Sequence, residues 1–317
     1  MKTESVSIAK KKRETTVPTS RLHTERAPHV RAGGTVIGMS LDVLLALLPL
    51  SIWSVILFGW HAAALIAVSV VSAVLTEFLA GLLFRRPRAV LDGTAAVTGL
   101  ILALLLPPET PVLIAATGSA FAIFVVKQCF GGLGCNIFNP AVAARLFLAA
   151  AFPGNCAFVA ASAALVQEAK SPLSLLFGIG AGALTDASAL LLAAGGIYLI
   201  CRRQATWEAP LTFFMVTLLG VLLLPGEDDV TTLLILTFCS GAVPLATLFL
   251  LTDPVTSPMT TVGRFLSGAV AAILALLLRS VGCADGVLLA ILLVNLFSLP
   301  LDRLAILVLR RKGGTHG

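Results

Sequence analysis

Charged residues are scarce in this sequence of 317 residues, because only 12% are Asp, Glu, Lys or Arg whereas 58% are apolar. A water-soluble domain of this length carries roughly twice that share of charge. The apolar residues lack the amphipathic spacing of soluble helices and form long runs, such as 36–59 and 231–251. The alternating segments of a membrane β-barrel are absent. The sequence therefore predicts an all-α, polytopic membrane protein.

Signatures of soluble enzymes are also absent from the sequence. It contains no P-loop, no G-x-S-x-G elbow, no H-E-x-x-H motif and no dinucleotide-binding glycine pattern. We expect no catalytic residue, so any chemistry depends on a bound cofactor. The six cysteines show no C-x-x-C spacing and none adjoins a histidine, so neither zinc nor a disulfide framework is predicted. Cys129 and Cys135 leave a thiolate metal site as an alternative to a simple apolar role.

About ten apolar segments are long enough for full or partial transmembrane helices. They lie at about 36–58, 62–84, 92–106, 111–129, 140–152, 187–201, 210–224, 231–251, 263–279 and 286–301. This divides the chain into a basic cytosolic tail at 1–35, a transmembrane domain at 36–302 and a second cytosolic tail at 303–317. The first tail lacks the pattern of a secretory signal. Five segments in each half are compatible with an inverted repeat, although no residue-level match between the halves is visible.

The basic residues fix the predicted orientation. If the N-terminus is cytoplasmic, the cytoplasmic side receives both tails and nearly all basic loop residues, namely Arg85, Arg86, Arg88, Lys127, Arg202, Arg203 and Arg264. The outer loops receive only Lys170 and Arg279 as basic residues. This bias follows the positive-inside rule and places both termini in the cytoplasm. Because the rule also accounts for the net charge of +6, no nucleic-acid binding is predicted.

Three polar breaks interrupt the apolar pattern on the predicted cytoplasmic side. They are DGT at 92–94, NIFNP at 136–140 and TDPVTSP at 252–258. Capping of a helix by Asn or Asp is the simple interpretation of each break. Three breaks on one side favour a shared polar site between helices, whose exposed N–H groups would suit an anionic or hydrogen-bonding ligand.

Glu77 and Arg145 are charged residues embedded in predicted membrane helices. Glu77 is about two turns inside the second segment, and Arg145 lies within the fifth. Such groups are costly in a bilayer and face the interior of a helix bundle. The alternatives are a structural Glu–Arg pair and a role beside an ion path, to which Asp92 is the third candidate.

The polar motifs, taken in order, resemble one known family. They are PHVR at 28–31, LDVL at 41–44, DGTAAVTG at 92–99 before Pro107-Pro108, GGLGCNIFNPA at 131–141 and TDPVTSP at 252–258. Together they resemble the D-type subunit of the Rnf electron-transport complex, a relative of the B-type subunit of the sodium-pumping NADH:quinone reductase. The resemblance covers about 28–302, and the chain length favours the Rnf branch.

This resemblance implies ten spans and a place beside the other Rnf-type subunits in the bacterial cytoplasmic (inner) membrane. That complex couples electron transfer between ferredoxin and NAD to Na⁺ or H⁺ movement. FMN and riboflavin are the cofactors that the family implies. We expect Asn136, Asn139, Asp253 and Thr256 to contact a non-covalent flavin, and Glu77, Arg145 and Asp92 to line the ion path.

One position departs from the family pattern. Relatives bind FMN covalently through the threonine of a Ser-Gly-Ala-Thr segment after the fifth span, and here that position is Ala163. Alanine has no hydroxyl group and cannot form the phosphoester, while Ser162 is one residue out of register. We therefore expect no covalent FMN. The alternative functions are a stand-alone channel or secondary transporter for a small solute, and a structural subunit without a ligand.

Overall fold

The computed structural model describes residues 35–85, 87–156, 183–223, 242–283 and 285–313. The regular secondary structure of this part is helical, and each of the ten predicted segments contains a helix. In chain order the main helices are α1 (Val36–Phe58), α2 (Trp60–Leu83), α3 (Thr94–Leu104), α4 (Val112–Phe121), α5 (Pro140–Ala151), α6 (Ala189–Cys201), α7 (Glu208–Leu223), α8 (Ala242–Leu245), α9 (Thr261–Ser280), α10 (Gly286–Leu296) and α11 (Ser298–Gly313). Short helical turns lie at Pro87–Asp92, Pro153–Cys156 and Leu184–Ala187. Wider π-helical segments, Ala122–Gln128 and Ala246–Leu250, continue α4 and α8.

Helix length separates full spans from partial ones. Within the described residues, α1, α2 and α9 are long and apolar enough to cross a membrane. The bent pair of α10 and α11, with an angle of 58° between its parts, forms a fourth candidate span. Among the described residues, α3, α4 with its π-helical continuation, α5, α6 and α7 are apolar helices of 10–17 residues. α11 extends through Gly313, so the predicted tail at 303–317 begins inside a helix.

The helices form two packed groups that contact each other. In the first group α2 packs against α3 and α4, and in the second α9 packs against α7 and α10. Contacts of α1 with α6 and of α5 with α10 join the groups. Close approach depends on small residues, as in other membrane helices. A side chain at Gly99 would collide with the backbone of α2, where Ser69 donates a hydrogen bond of 3.0 Å to the Gly99 carbonyl.

The contact between α9 and α7 gives a sharp test of this packing. The Gly268→Val substitution places a side chain against the Ala209 backbone. We expect it to destabilise the protein by about 1–3 kcal/mol, the usual cost of overpacking. Thermal unfolding of the purified chain, followed by circular dichroism, measures the change. Gly154→Ala is the control because its added methyl group meets no atom within 4 Å, and equal stability of the two variants would contradict the packing described here.

Candidate functional site

The three polar breaks surround one cavity. Its volume is about 150 Å³, well above the roughly 10–15 Å³ that one water requires. Its walls come from α1, α3, the start of α5, the end of α6 and the residues around the third break. The polar residues that line it are Ser40, Thr94, Thr98, Lys127, Asn136, Asn139, Gln204, Thr252 and Asp253. The structure thus brings together side chains that the sequence only placed on the same side of the membrane.

A direct hydrogen bond connects the second and third breaks. The Asn139 side-chain amide donates to Asp253 Oδ2 over 3.0 Å. The carbonyl oxygen of the same Asn139 side chain accepts from the N–H groups of Ala141 and Val142, at 3.1 and 3.4 Å. Asn139 therefore caps α5 and also links α5 to the loop after α8, so the capping interpretation and the shared-site interpretation both apply to it.

Asp253 is held by three donors. Its Oδ2 also accepts from the Thr256 hydroxyl at 3.2 Å, and its Oδ1 accepts from the Val255 N–H at 3.2 Å. Thr256 thus supports Asp253 rather than lining the cavity. Burial raises the pKa of the Asp253 carboxyl, while the hydrogen bonds from Val255, Thr256 and Asn139 oppose that rise. The carboxyl is easier to protonate than an exposed aspartate.

The helix starts beside the cavity are already capped by the protein. Asn139 occupies the first free N–H groups of α5, and Asp92 Oδ1 accepts from the Thr94 N–H at 2.9 Å at the start of α3. The N–H groups of Thr94, Ala141 and Val142 therefore already have side-chain acceptors from the protein. The remaining polar side chains in a mainly apolar wall suit an occupant that forms hydrogen bonds.

A chain of four polar side chains runs from the cavity into the helix bundle. Lys127 is buried and its Nζ forms an ion pair with Glu77 Oε1. The same Nζ donates to Thr94 Oγ1, and the Thr94 hydroxyl donates to Asp92 Oδ1 over 2.6 Å. Gln128 adds a second hydrogen bond of 3.1 Å to Glu77 Oε1. Glu77 and Asp92, two of the three predicted ion-path residues, therefore belong to one network.

The third predicted ion-path residue belongs to a different cluster. The Arg145 guanidinium lies 3.2 Å from Asp285 Oδ1 and donates from Nε to the Leu105 carbonyl at 3.1 Å. A Glu77–Arg145 pair, one of the sequence-based alternatives, does not form because each residue has another partner of opposite charge. Arg145 joins α5 to the end of α3 and the start of α10.

A further network joins α1 to the end of α6 at the cavity wall. Asp42 is 5% exposed and accepts hydrogen bonds from the Tyr198 hydroxyl at 3.1 Å and from Gln204 Nε2 at 3.0 Å. Arg202 adds an ion pair at 3.2 Å. This network holds Gln204 in the wall, which gives a structural role to the aspartate of the LDVL motif.

Sequence reasoning missed the role of Lys127 because it counted this residue as a cytoplasmic loop charge. Lys127 lies within the predicted span 111–129, so the argument applied to Glu77 was also available for it. The sequence offered no comparable indication of which residues pair with Asp42 and Arg145, because those partners lie far away along the chain.

The remaining sequence-based candidates are the flavin-attachment positions and the cysteines. Ser162 and Ala163 lie outside the described residues. Among the described residues, no group of three metal-ligating side chains occurs. Neither Cys129 nor Cys135 forms a disulfide bond within that part of the chain.

Apolar helices, buried ion pairs and a polar cavity between helix breaks define a multi-pass helical membrane protein with an internal site. The model of the NQR2, RnfD, RnfE family matches residues 23–307, and the chain belongs to this family.

Named relatives match over most of their length. The D-type subunit of the Na⁺-translocating ferredoxin:NAD⁺ oxidoreductase complex of Acetobacterium woodii is 35% identical, over 89% of this chain and 93% of the relative. The D-type subunit of the proton-translocating complex of Clostridium ljungdahlii is 31% identical, over 87% and 92%. The D-type subunit of an ion-translocating oxidoreductase complex of Stutzerimonas stutzeri is 34% identical, over 83% and 88%. The resemblance inferred from the motifs is confirmed.

The two roles of Asn139 are separable by substitution. Asn139→Ala removes the cap and the bond to Asp253, whereas Asn139→Ser keeps a capping oxygen and removes only that bond. We expect the alanine variant to be less stable than the serine variant by about 1 kcal/mol, the usual contribution of an N-cap. Thermal unfolding of both purified variants measures the difference. Equal stabilities would contradict the cap, and a serine variant as stable as the wild type would show that the Asp253 bond contributes nothing.

Proposed function

We propose that this chain is the D-type membrane subunit of an Rnf-type complex that couples electron transfer between ferredoxin and NAD to Na⁺ or H⁺ movement. It acts together with the other subunits of that complex, in the bacterial cytoplasmic membrane. The proposal includes ten spans with both termini in the cytoplasm, in line with the bias of basic residues. The observation that carries it is the convergence, on one cavity, of the family motifs that lie among the described residues, in a chain that matches D-type subunits over most of its length.

The lining of the cavity suits part of a non-covalent flavin; its volume of about 150 Å³ lies below the roughly 300–1,000 Å³ of pockets that enclose a whole drug-sized ligand. An isoalloxazine ring is a flat, mostly apolar body with carbonyl and N–H groups at its edge, and the site combines apolar walls with a few polar side chains. The residues that would hold it are Asn136, Asn139, Gln204 and Thr94. Asp253 and Asp42 fix two of these side chains in place. When bound, a flavin supplies the capacity to accept and donate electrons, which the side chains lack.

The buried carboxylate supports the ion-moving part of the proposal. Glu77 is fully buried, and its Oε2 has no hydrogen-bond partner among the described residues. A buried carboxylate oxygen without a donor is costly unless a cation or proton reaches it. Relatives named for Na⁺ and for protons both match this chain, so the proposal covers either ion. A stand-alone transporter is the less favoured alternative, because the whole chain follows the pattern of a complex subunit.

The flavin prediction separates covalent from non-covalent binding. Acid precipitation of the purified full-length chain should leave riboflavin or FMN in the supernatant and none on the precipitated protein. Absence of any flavin would contradict the cofactor assignment, and flavin on the precipitate would contradict the interpretation of Ala163. As a matched control, Ala160→Ser, Ala161→Gly, Ser162→Ala and Ala163→Thr together restore the relatives' attachment sequence and should allow covalent flavin in a host with the attaching enzyme.

The ion-path prediction concerns Glu77 and Asp253. In inverted membrane vesicles that contain the assembled complex, Glu77→Ala and Asp253→Ala should each lower ion uptake per electron transferred by about tenfold, within the usual range of coupling effects. Glu208→Gln is the control, because Glu208 pairs with Arg264 and does not line the cavity. Unchanged ion uptake in both alanine variants would refute the ion-path assignment.

A further inference from the structure

Lys127 belongs to two sites at once. It lines the cavity, and it provides the positive charge that balances Glu77. We propose that Lys127 is the electrostatic link between them, so that a negative charge on the cavity occupant draws Lys127 away from Glu77 and opens Glu77 to a cation. This inference rests on the proposed flavin site and adds a role for a residue outside the predicted site.

The geometry of the ammonium group permits such sharing. A lysine ammonium has three N–H donors, and Lys127 Nζ uses them toward Glu77 Oε1 and Thr94 Oγ1 among the described residues. Its side chain is 4% exposed and that of Glu77 is 0% exposed, so water screens neither charge effectively. In such surroundings a change of charge a few ångströms away strongly alters the interactions of the ammonium. The long lysine side chain can then adjust its position between two acceptors.

Glu77 has few other means of neutralising its charge. Lys127 and Gln128 both donate to its Oε1, and Oε2 lacks a partner in the described part of the chain. Loss of Lys127 leaves a buried carboxylate with only an uncharged amide, a state that strongly favours uptake of Na⁺ or H⁺. Cation binding at Glu77 and negative charge in the cavity therefore stabilise each other, because coupling between two sites is reciprocal.

The placement of Lys127 depends on an unusual stretch of backbone. The segment Ala122–Gln128 is π-helical, and π-helical segments within α-helices are frequent at functional sites. It carries Lys127 and Gln128 next to each other, and both reach the same Glu77 oxygen. The chain thus concentrates both donors on one oxygen and leaves the other available.

The test measures the midpoint potential of riboflavin bound to the full-length chain in lipid nanodiscs, titrated with a chemical reductant. Glu77→Gln should raise the potential, because Lys127 then acts on the cavity alone. Lys127→Gln should lower it, because the reduced, more negative riboflavin loses its positive neighbour. A tenfold change in the preference for reduced over oxidised riboflavin corresponds to about 30 mV for a two-electron couple. Glu208→Gln, which removes a carboxylate charge outside the cavity, should leave the potential unchanged.

Opposite signs show that both charges act on the bound riboflavin, whereas an ion pair that holds helices together without acting on the cavity would leave the potential unchanged in both variants. The coupling itself is tested by the cation dependence of the potential. Shifts of the same sign, or no shifts with riboflavin still bound, overturn the inference alone. If the wild-type chain binds no riboflavin, the flavin proposal fails and this inference fails with it.

A second variant covers the case in which a single substitution prevents folding. The double substitution Glu77→Gln with Lys127→Gln removes both charges and leaves no unpaired one. In the wild-type chain the potential should rise as Na⁺ replaces choline at constant pH, or, if the cation is a proton, should change with pH more steeply than that of free riboflavin, whose own reduction takes up protons. The double variant should lose the Na⁺ dependence or the additional pH dependence, and its retention would overturn the inference.

Discussion

The hydrogen bond between Asn139 and Asp253 is the contact on which the site depends. It joins residues 114 positions apart and connects the first group of helices to the second. Because Asn139 also caps α5, the same side chain sets the start of a helix and its distance from the loop after α8. Without this bond the two polar breaks would be separate helix ends, and the cavity between them would lack a defined wall.

Each of the two π-helical segments is followed by a polar break. Ala122–Gln128 precedes the glycine-rich turn that leads to Asn139, and Ala246–Leu250 precedes Asp253. A π-helical turn adds a residue and redirects the side chains that follow it. Their matching placement gives each half of the chain the same way of ending a helix inside the protein. This shared placement supports comparison of the two halves.

Hydrophobic runs predicted the positions of the helices because a bilayer demands apolar length, and this demand is local in sequence. The three breaks were visible for the same reason, since Asn, Asp and Pro interrupt such runs. The pairings were not predictable, because Glu77 and Lys127 are 50 residues apart and many basic residues could have served as the partner. Capping by Asn or Asp was one of the two interpretations that the sequence offered, and the structure shows it at Asn139 and Asp92. The choice between a cap and an anion site was not predictable, because the residues that suggest such a site can fill it themselves.

Stability alone is a poor reason for the buried charges at Lys127 and Glu77. Desolvation of a buried ion pair costs several kcal/mol per ion, and well-packed apolar residues of similar size often replace such pairs without loss. An apolar pair would hold α2 against the end of α4 equally well, and it would leave no unsatisfied oxygen. The present pair instead places a mobile positive charge between a cavity and a carboxylate. That arrangement costs desolvation energy that an apolar contact would avoid, and it is well suited to transmitting a change of charge.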